Sequence, residues 1–351
     1  MRFAKITDRV AGLGSDKWAV HFEGKQRLAA GEKMIFLSIG EPDLPPASAI
    51  LDVAATRMKQ GRTRYSGGNG EAPLLDALSK HYTKQTGRPI APNQFLFVPG
   101  TQTALAVAFM SVIELGDEVI LLDPYYATYE AVISAPGGVP VPVKLDPDRS
   151  FHPDVASIER AISPRTRAIL LNSPSNPTGA VFTESEIKAI SALAMKHDLW
   201  IVSDEVYATL IHGDGKFYSP FCDKALEERV IVCSSISKSH ALPGFRCGWI
   251  AASASYCEKV IAVSETLLFG SPQFLQDATA FALTHEFAET KKMQQLYVAR
   301  AEALIAGIGG SNKATARMPE GGMFVMVDVR KTGLSGEAFA FKLLREKGVV
   351  T

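Results

Sequence analysis

Six short segments of the chain carry side chains that could do chemistry together. Cys233-Ser234-Ser235-Ile236-Ser237-Lys238 sets a lysine among hydroxyls, and Arg246 follows eight residues later, between Gly244 and Gly248. Ser203-Asp204-Glu205-Val206-Tyr207 offers carboxylates and a phenol, and Asn172-Ser173-Pro174-Ser175-Asn176-Pro177-Thr178-Gly179 is a stiff polar loop with amides. Pro99-Gly100-Thr101-Gln102 is a glycine turn that opens a helix, and Tyr125-Tyr126 supplies a flat aromatic wall. Each has an ordinary reading on its own: a solvated lysine, a surface arginine, an N-cap, a turn, a tight connection, a core ring. Together they supply an amine for an aldehyde, an anion site at a helix N-terminus, and a carboxylate for a ring nitrogen. That set fits pyridoxal phosphate. It fits neither a Gly-Lys-Ser/Thr phosphate loop, nor Gly-x-Gly-x-x-Gly, nor a Gly-x-Ser-x-Gly elbow, none of which is present.

Something must bring these segments to one place. Each except the Arg246 turn follows a short apolar run: Phe95–Val98, Val119–Leu122, Ala168–Leu171, Trp200–Val202 and Val230–Val232. Runs that are apolar without alternation read as strands buried on both faces. Helical patterns separate them, at Thr103–Leu115, Tyr126–Ser134 and Glu184–His197, with a less regular one after Tyr207. Strands alternating with helices predict an α/β fold with a mostly parallel sheet, whose ligands bind beyond the carboxyl ends of the strands. Thr183 and Glu186 have capping-box spacing, and Gly116 is expected to close the helix from Thr103. Past about residue 275 come a charged helix Glu286–Ile308, a turn at Gly321-Gly322, a strand Met323–Val329 and a last helix Ala338–Lys347. This reads as a second, smaller domain, with the stretch up to Leu37 packing on it.

Composition narrows the function class. Lys+Arg and Asp+Glu are both 37, so the formal charge is zero and no nucleic-acid or anionic-membrane footprint is expected. No apolar run approaches the roughly 18 residues of a membrane span, and the N-terminus lacks the apolar stretch of a secretory leader. The four cysteines and seven histidines are scattered. Neither a metal site nor a disulfide framework is therefore expected, which points to the cytoplasm.

The ordered motifs Asn176-Pro177-Thr178-Gly179, Ser203-Asp204-Glu205-Val206-Tyr207 and Ser235-Ile236-Ser237-Lys238 with Gly244-Phe245-Arg246 are accompanied by Gly40-Glu41-Pro42-Asp43, Tyr65–Gly70 and Gly321-Gly322-Met323-Phe324. In these the chain resembles the fold-type I, class I/II aminotransferases along its whole length, with bacterial aspartate aminotransferases of the rhizobial type and arginine:pyruvate transaminase nearest. The resemblance implies a seven-stranded, mostly parallel sheet flanked by helices in a large cofactor-binding domain at residues 46–280. It implies an arm and part of a small α+β domain at 1–45, with the rest of that domain at 281–351. Lys238 matches the lysine that carries pyridoxal phosphate and moves the proton, and Asp204 the acid at the pyridine nitrogen. Asn176 and Tyr207 match donors to the ring oxygen, and Tyr126 the stacking residue. Gly100, Thr101, Gln102, Ser235 and Arg246 match the phosphate cup. Tyr65 matches a tyrosine that reaches the phosphate across a homodimer interface. Gly40 and Asn176 match contacts to the substrate.

The implied reaction passes the amino group of an amino acid, aspartate favoured, to a 2-oxo acid such as 2-oxoglutarate. Alternatives on the same fold are arginine:pyruvate or other transamination, and C–S lysis; a non-catalytic cofactor-binding dimer is a third reading. Two departures bear on substrate. Family members continue past the position of Thr351 with an arginine that grips the α-carboxylate, so either the chain is truncated or its substrate capture is impaired, and the small domain is expected to be incomplete and its last helix frayed. Gln102 stands where some aspartate enzymes carry lysine.

Overall fold

The computed structural model describes residues 1–13 and 16–351. Seven strands form one sheet: β1 (Phe95–Val98), β2 (Glu118–Asp123), β3 (Val139–Lys144), β4 (Thr166–Asn172), β5 (Trp200–Asp204), β6 (Val230–Ser235) and β7 (Gly248–Ala251), in the spatial order β1-β7-β6-β5-β4-β2-β3. All neighbours are parallel except β7, which runs antiparallel to both β1 and β6. Successive residues alternate between two cores. Phe95, Phe97, Ile120, Ile169, Leu171, Ile201 and Val232 pack on one face; Leu96, Val98, Leu121, Leu170, Val202, Ile231 and Ile250 pack on the other. With both faces covered, the central positions of the inner strands are apolar on both sides, which is why the runs show no alternation.

Helix α1 (Ala19–Ala29) precedes the sheet. On the first face lie α2 (Ser48–Lys59), α3 (Ala72–Thr86), α5 (Glu184–Lys196) and α7 (Gln273–Thr284); on the second lie α4 (Gly100–Val112) and α6 (Ala254–Leu267). The capping box of α5 is present: Thr183 accepts from Glu186 N–H and the Glu186 carboxylate accepts from Thr183 N–H. α8 (Ala288–Ile308) and α9 (Gly336–Lys347) follow.

Several elements differ from the sequence reading. The chain of β3 reads Val-Pro-Val-Pro-Val-Lys, which lacks two backbone donors and is tolerated because β3 is the edge strand. α4 begins at Gly100 and ends at Val112, because Ile113 turns extended; Gly116 instead donates to Gly137 O at 3.0 Å in the following turn. No long helix follows Tyr207; the chain makes turns and short 3-10 segments at Pro220–Cys222 and Lys224–Leu226. Of the strand expected at Met323–Val329 only Val327–Asp328 forms, paired antiparallel with Thr315–Ala316. The last helix, expected to fray, is held: Leu344 is fully buried with Val20 and Val350, Ile35–Phe36 pairs in parallel with Val349–Val350, and Arg345 reaches Glu23 at 2.8 Å.

Candidate active site

Strand register does the first positioning. Asn172 lies beside Asp204, and Asp204 beside Cys233, so β4, β5 and β6 deliver their last residues along one edge of the sheet. Beyond that edge lies a cavity of about 500 Å³ lined by Gly40, Thr101, Gln102, Tyr126, Asn176, Asp204, Tyr207, Ser235, Lys238 and Arg246. Ten of the twelve site residues singled out in the sequence thus line this cavity, and an eleventh, Gly100, adjoins it against Arg246. Tyr65 does not: it is 83% exposed, its ring edge-on to Phe269.

Asp204 ends β5 and is buried. Tyr129 donates its phenol proton to Oδ2 at 2.7 Å, and Val206 N–H to Oδ1 at 3.2 Å. Burial pushes its carboxyl up to about 6 against those two donors, and among the described residues no cationic side chain pairs with it. A carboxylate held this way suits a cation brought in by a ligand. The next residue, Glu205, points away from the cavity, its Oε1 accepting from Ser203 and Ser219 at 2.9 and 2.5 Å.

Lys238 sits on the short helix Ile236–Ser239, whose N-cap is Ser235. Its Nζ donates to Gly40 O at 2.5 Å, and burial, with the nearby charge of Arg246, lowers its pKa. A lysine with less affinity for its proton is more often the free amine that attacks an aldehyde.

The N-terminus of α4 has no capping side chain. Thr101 donates to Ser235 Oγ at 2.9 Å, and Arg246 lies across the helix start, held by Pro243 O at 2.7 Å and Pro99 O at 3.3 Å. Gly100 (φ +81°) permits this: a Cβ there would lie 2.3 Å from Arg246 Nη2. Arg246 itself has φ +53°, a conformation costing a residue with a side chain on the order of 1 kcal/mol. Open helix N–H groups, two hydroxyls and a guanidinium make a site for a phosphate dianion.

Tyr126 and Tyr207 line the cavity walls; burial, with the charge of Asp204, raises both phenols, so both stay protonated donors. Three supporting residues have no role in the sequence reading, although Asn172 and Phe324 stand in its motifs. Asn172 ties the loop to the strand, donating to Asp204 O at 3.1 Å while its Oδ1 accepts from Asn176 N–H at 2.7 Å. Tyr129 lies one helical turn past Tyr126, a spacing that could have suggested it. Phe324 stands edge-on to Tyr207 at 5.7 Å. Lys17, Trp18 and His21 also reach the mouth of the cavity, and no local motif announces them. Among the described residues there is no metal-binding cluster and no helix long and apolar enough to cross a membrane.

Residues 32–351 match the family described as aminotransferase class I and II. The chain belongs to that family. It is a pyridoxal-phosphate-dependent aminotransferase, and the donor set of the cavity fits the cofactor in phosphate, ring nitrogen and aldehyde. The aminotransferase is 37% identical over 349 residues to the arginine–pyruvate transaminase of Pseudomonas aeruginosa, covering 99% of this chain and 88% of that one. It is 30% identical to the aspartate/prephenate aminotransferase of Thermus thermophilus, covering 94% and 86%. A solved structure of a Thermus thermophilus aspartate aminotransferase double mutant superimposes with a TM-score of 0.93 at 29% identity, over 100% of this chain and 91% of that one.

Proposed function

We propose that this aminotransferase takes its amino group from arginine and passes it to a 2-oxo acid such as pyruvate, with Lys238 as the residue that carries the cofactor and moves the proton. The observation that carries amino transfer at this site is the convergence of Lys238, Asp204 and Arg246 on one cavity. When bound, pyridoxal phosphate supplies an aldehyde for the amino group and a ring that draws electrons from the α-carbon.

The residues divide the remaining work. Arg246, the N–H groups from Gly100 to Gln102 and the hydroxyls of Thr101 and Ser235 hold the phosphate. Asp204 keeps the ring nitrogen protonated by offering it a buried negative charge. Tyr126 covers the ring face, while Asn176 and Tyr207 donate to its oxygen. Lys238 Nζ, freed by the incoming amine, would take the substrate α-proton and deliver it across the nitrogen to the former aldehyde carbon of the cofactor. Gly40 and Asn176 contact the substrate. Tyr65, exposed with Phe269, serves the site of a second copy in a homodimer.

Arginine is favoured because the most similar relative reported above carries that activity and because, among the described residues that line the cavity, a distal carboxylate would find no uncommitted cation. Gln102 is neutral, and Lys17 is already paired with Glu130 at 3.3 Å and stacked over Tyr125 at 4.5 Å. A guanidinium would meet Glu41 instead. Aspartate with 2-oxoglutarate is the second reading, supported by the 30% relative and by Lys17 if its pair with Glu130 opens. Keto-acid formation from arginine and from aspartate, each with pyruvate and 2-oxoglutarate, decides. Turnover of aspartate at a higher kcat/KM than arginine would replace the first reading by the second. Release of pyruvate and ammonia without an acceptor would establish a lyase instead.

A further inference from the structure

Away from the cavity, His152 stands between two carboxylates. Its Nδ1 lies 3.0 Å from both oxygens of Glu186, and its Nε2 3.1 Å from both oxygens of Glu320. Neutral imidazole has one N–H and would turn a lone pair on one of them; with acceptors at both nitrogens, the ring is an imidazolium. Both acids are also held by one stretch of backbone. Glu320 accepts from Val181 N–H and Glu186 from Thr183 N–H, each at 2.8 Å.

Glu320 opens a path back to the cavity. Its N–H and that of Gly321 donate to Gly179 O at 3.0 and 2.9 Å, its carbonyl accepts from His212 N–H, and Gly322 N–H donates to Leu210 O. The fit is close, since a Cβ at Gly179 would lie 2.5 Å from Pro319 Cβ. Two residues on, Phe324 meets Tyr207, and it approaches Gly40 so nearly that a Cβ there would lie 2.5 Å from Phe324 Cζ. The carbonyl of Gly40 is the acceptor for Lys238.

We propose that His152 is a positioning residue for amino transfer: by tying Glu320 to Glu186 it fixes the segment from Pro319 to Phe324, and Phe324 in turn fixes Tyr207 and the Gly40–Lys238 contact. The proposal rests on the reading of the Lys238 site given above. An ion pair with one partly exposed member contributes little by itself. Here its worth lies in holding a loop already bonded by backbone at Gly179 and Leu210 to a single seat.

The charge of the clamp sets its pH range. The hydrogen bond to Glu320, with that to Glu186, pushes His152 up to about 9 despite burial. The clamp is charged below that value and loses its charge as pH rises through it. Glu186 from α5 and Glu320 are the charged groups that face the ring. On the loop of His152 itself, Asp148 pairs with Arg330 at 2.9 Å, and Asp154 caps the helix Val155–Ala161.

The test compares wild-type holoenzyme with His152→Ala, Glu320→Gln, Phe324→Ala and the double variant His152→Ala/Phe324→Ala. His152→Ala should lower kcat/KM for the amino donor about tenfold, and by less than about twofold once Phe324 is already alanine. The fall in wild-type kcat/KM near pH 9 should move to lower pH in Glu320→Gln. Amide exchange, read without substrate, should quicken in His152→Ala across residues 319–324. Unchanged exchange, or a cost that adds in full to that of Phe324→Ala, overturns the proposal. A wild type inactive with every donor, yet with the exchange effect present, would overturn the catalytic part through the Lys238 reading rather than through the clamp.

Discussion

Tyr129 donates its phenol proton to Asp204 at 2.7 Å, and both side chains are buried. The bond favours the ionised carboxylate, the form that can pair with a protonated ring nitrogen. Tyr129→Phe removes the donor and leaves burial unopposed at Oδ2, so the Asp204 pKa rises further. The acid limb of the kcat/KM profile should move to higher pH, and activity at pH 7 should drop about tenfold, the usual cost of a hydrogen bond to a charged group. A profile superimposable on wild type would remove Tyr129 from the account.

Gly100→Ala should disable the phosphate site with little effect elsewhere. The added methyl would sit 2.3 Å from Arg246 Nη2, and φ at this position is +81°. The guanidinium must then move, and a pyridoxal phosphate titration followed by absorbance should show affinity at least tenfold weaker, on the order of one lost charge-assisted hydrogen bond. Unchanged affinity would mean that the phosphate does not lie between Gly100 and Arg246.

Glu205 gives a pH dependence of stability. Burial pushes its carboxyl up to about 7 from 4.5, opposed by Ser219 and Ser203, and its Oε2 has no partner. The unfolded chain releases this proton near 4.5 and the folded chain only near 7. The stabilisation is therefore whole below about 4.5 and is lost as pH rises through 7. Glu205→Gln cannot ionise, so its loss of stability between pH 4.5 and 8 in urea unfolding should be smaller than that of wild type, by about 1–3 kcal/mol. Parallel curves for the two proteins would show that Glu205 titrates normally.

Leu344 carries the packing of the last helix against the N-terminal part of the chain. It is fully buried against Val20 and Val350. Leu344→Ala should cost about 2–5 kcal/mol by transfer and cavity terms together, seen as a lower Tm. No change in Tm would mean that α9 contributes nothing to the cooperative unit.

Much of this was legible in the sequence where chemistry and periodicity coincide. Lys238, Asp204 and Asn176 stand out because polar residues follow apolar runs, and Arg246 because it lies between two glycines; strand register then sets the ends of the strands that carry Asn172, Asp204 and Cys233 side by side. β3 escaped notice because prolines interrupt its pattern, and β7 because Gly-Trp-Ile-Ala is too short to show one. Tyr129 and Asn172 bind other site residues rather than a ligand, so Tyr129 lies outside the motifs and Asn172, though inside one, shows no role there. Phe324 stands in the Gly321–Phe324 motif, but only tertiary packing shows its contact with Tyr207, and Lys17 belongs to no motif at all. Gly116 misled because a left-handed glycine serves a turn as well as a helix end.

The central claim is that Lys238 carries the cofactor. Holoenzyme reduced with borohydride, digested and mapped by mass spectrometry should show a single pyridoxyl adduct, on the peptide containing Lys238. Arginine added before reduction should abolish the adduct as the absorbance moves to the pyridoxamine form. An adduct on another lysine, or one that persists in Lys238→Ala, would contradict the account.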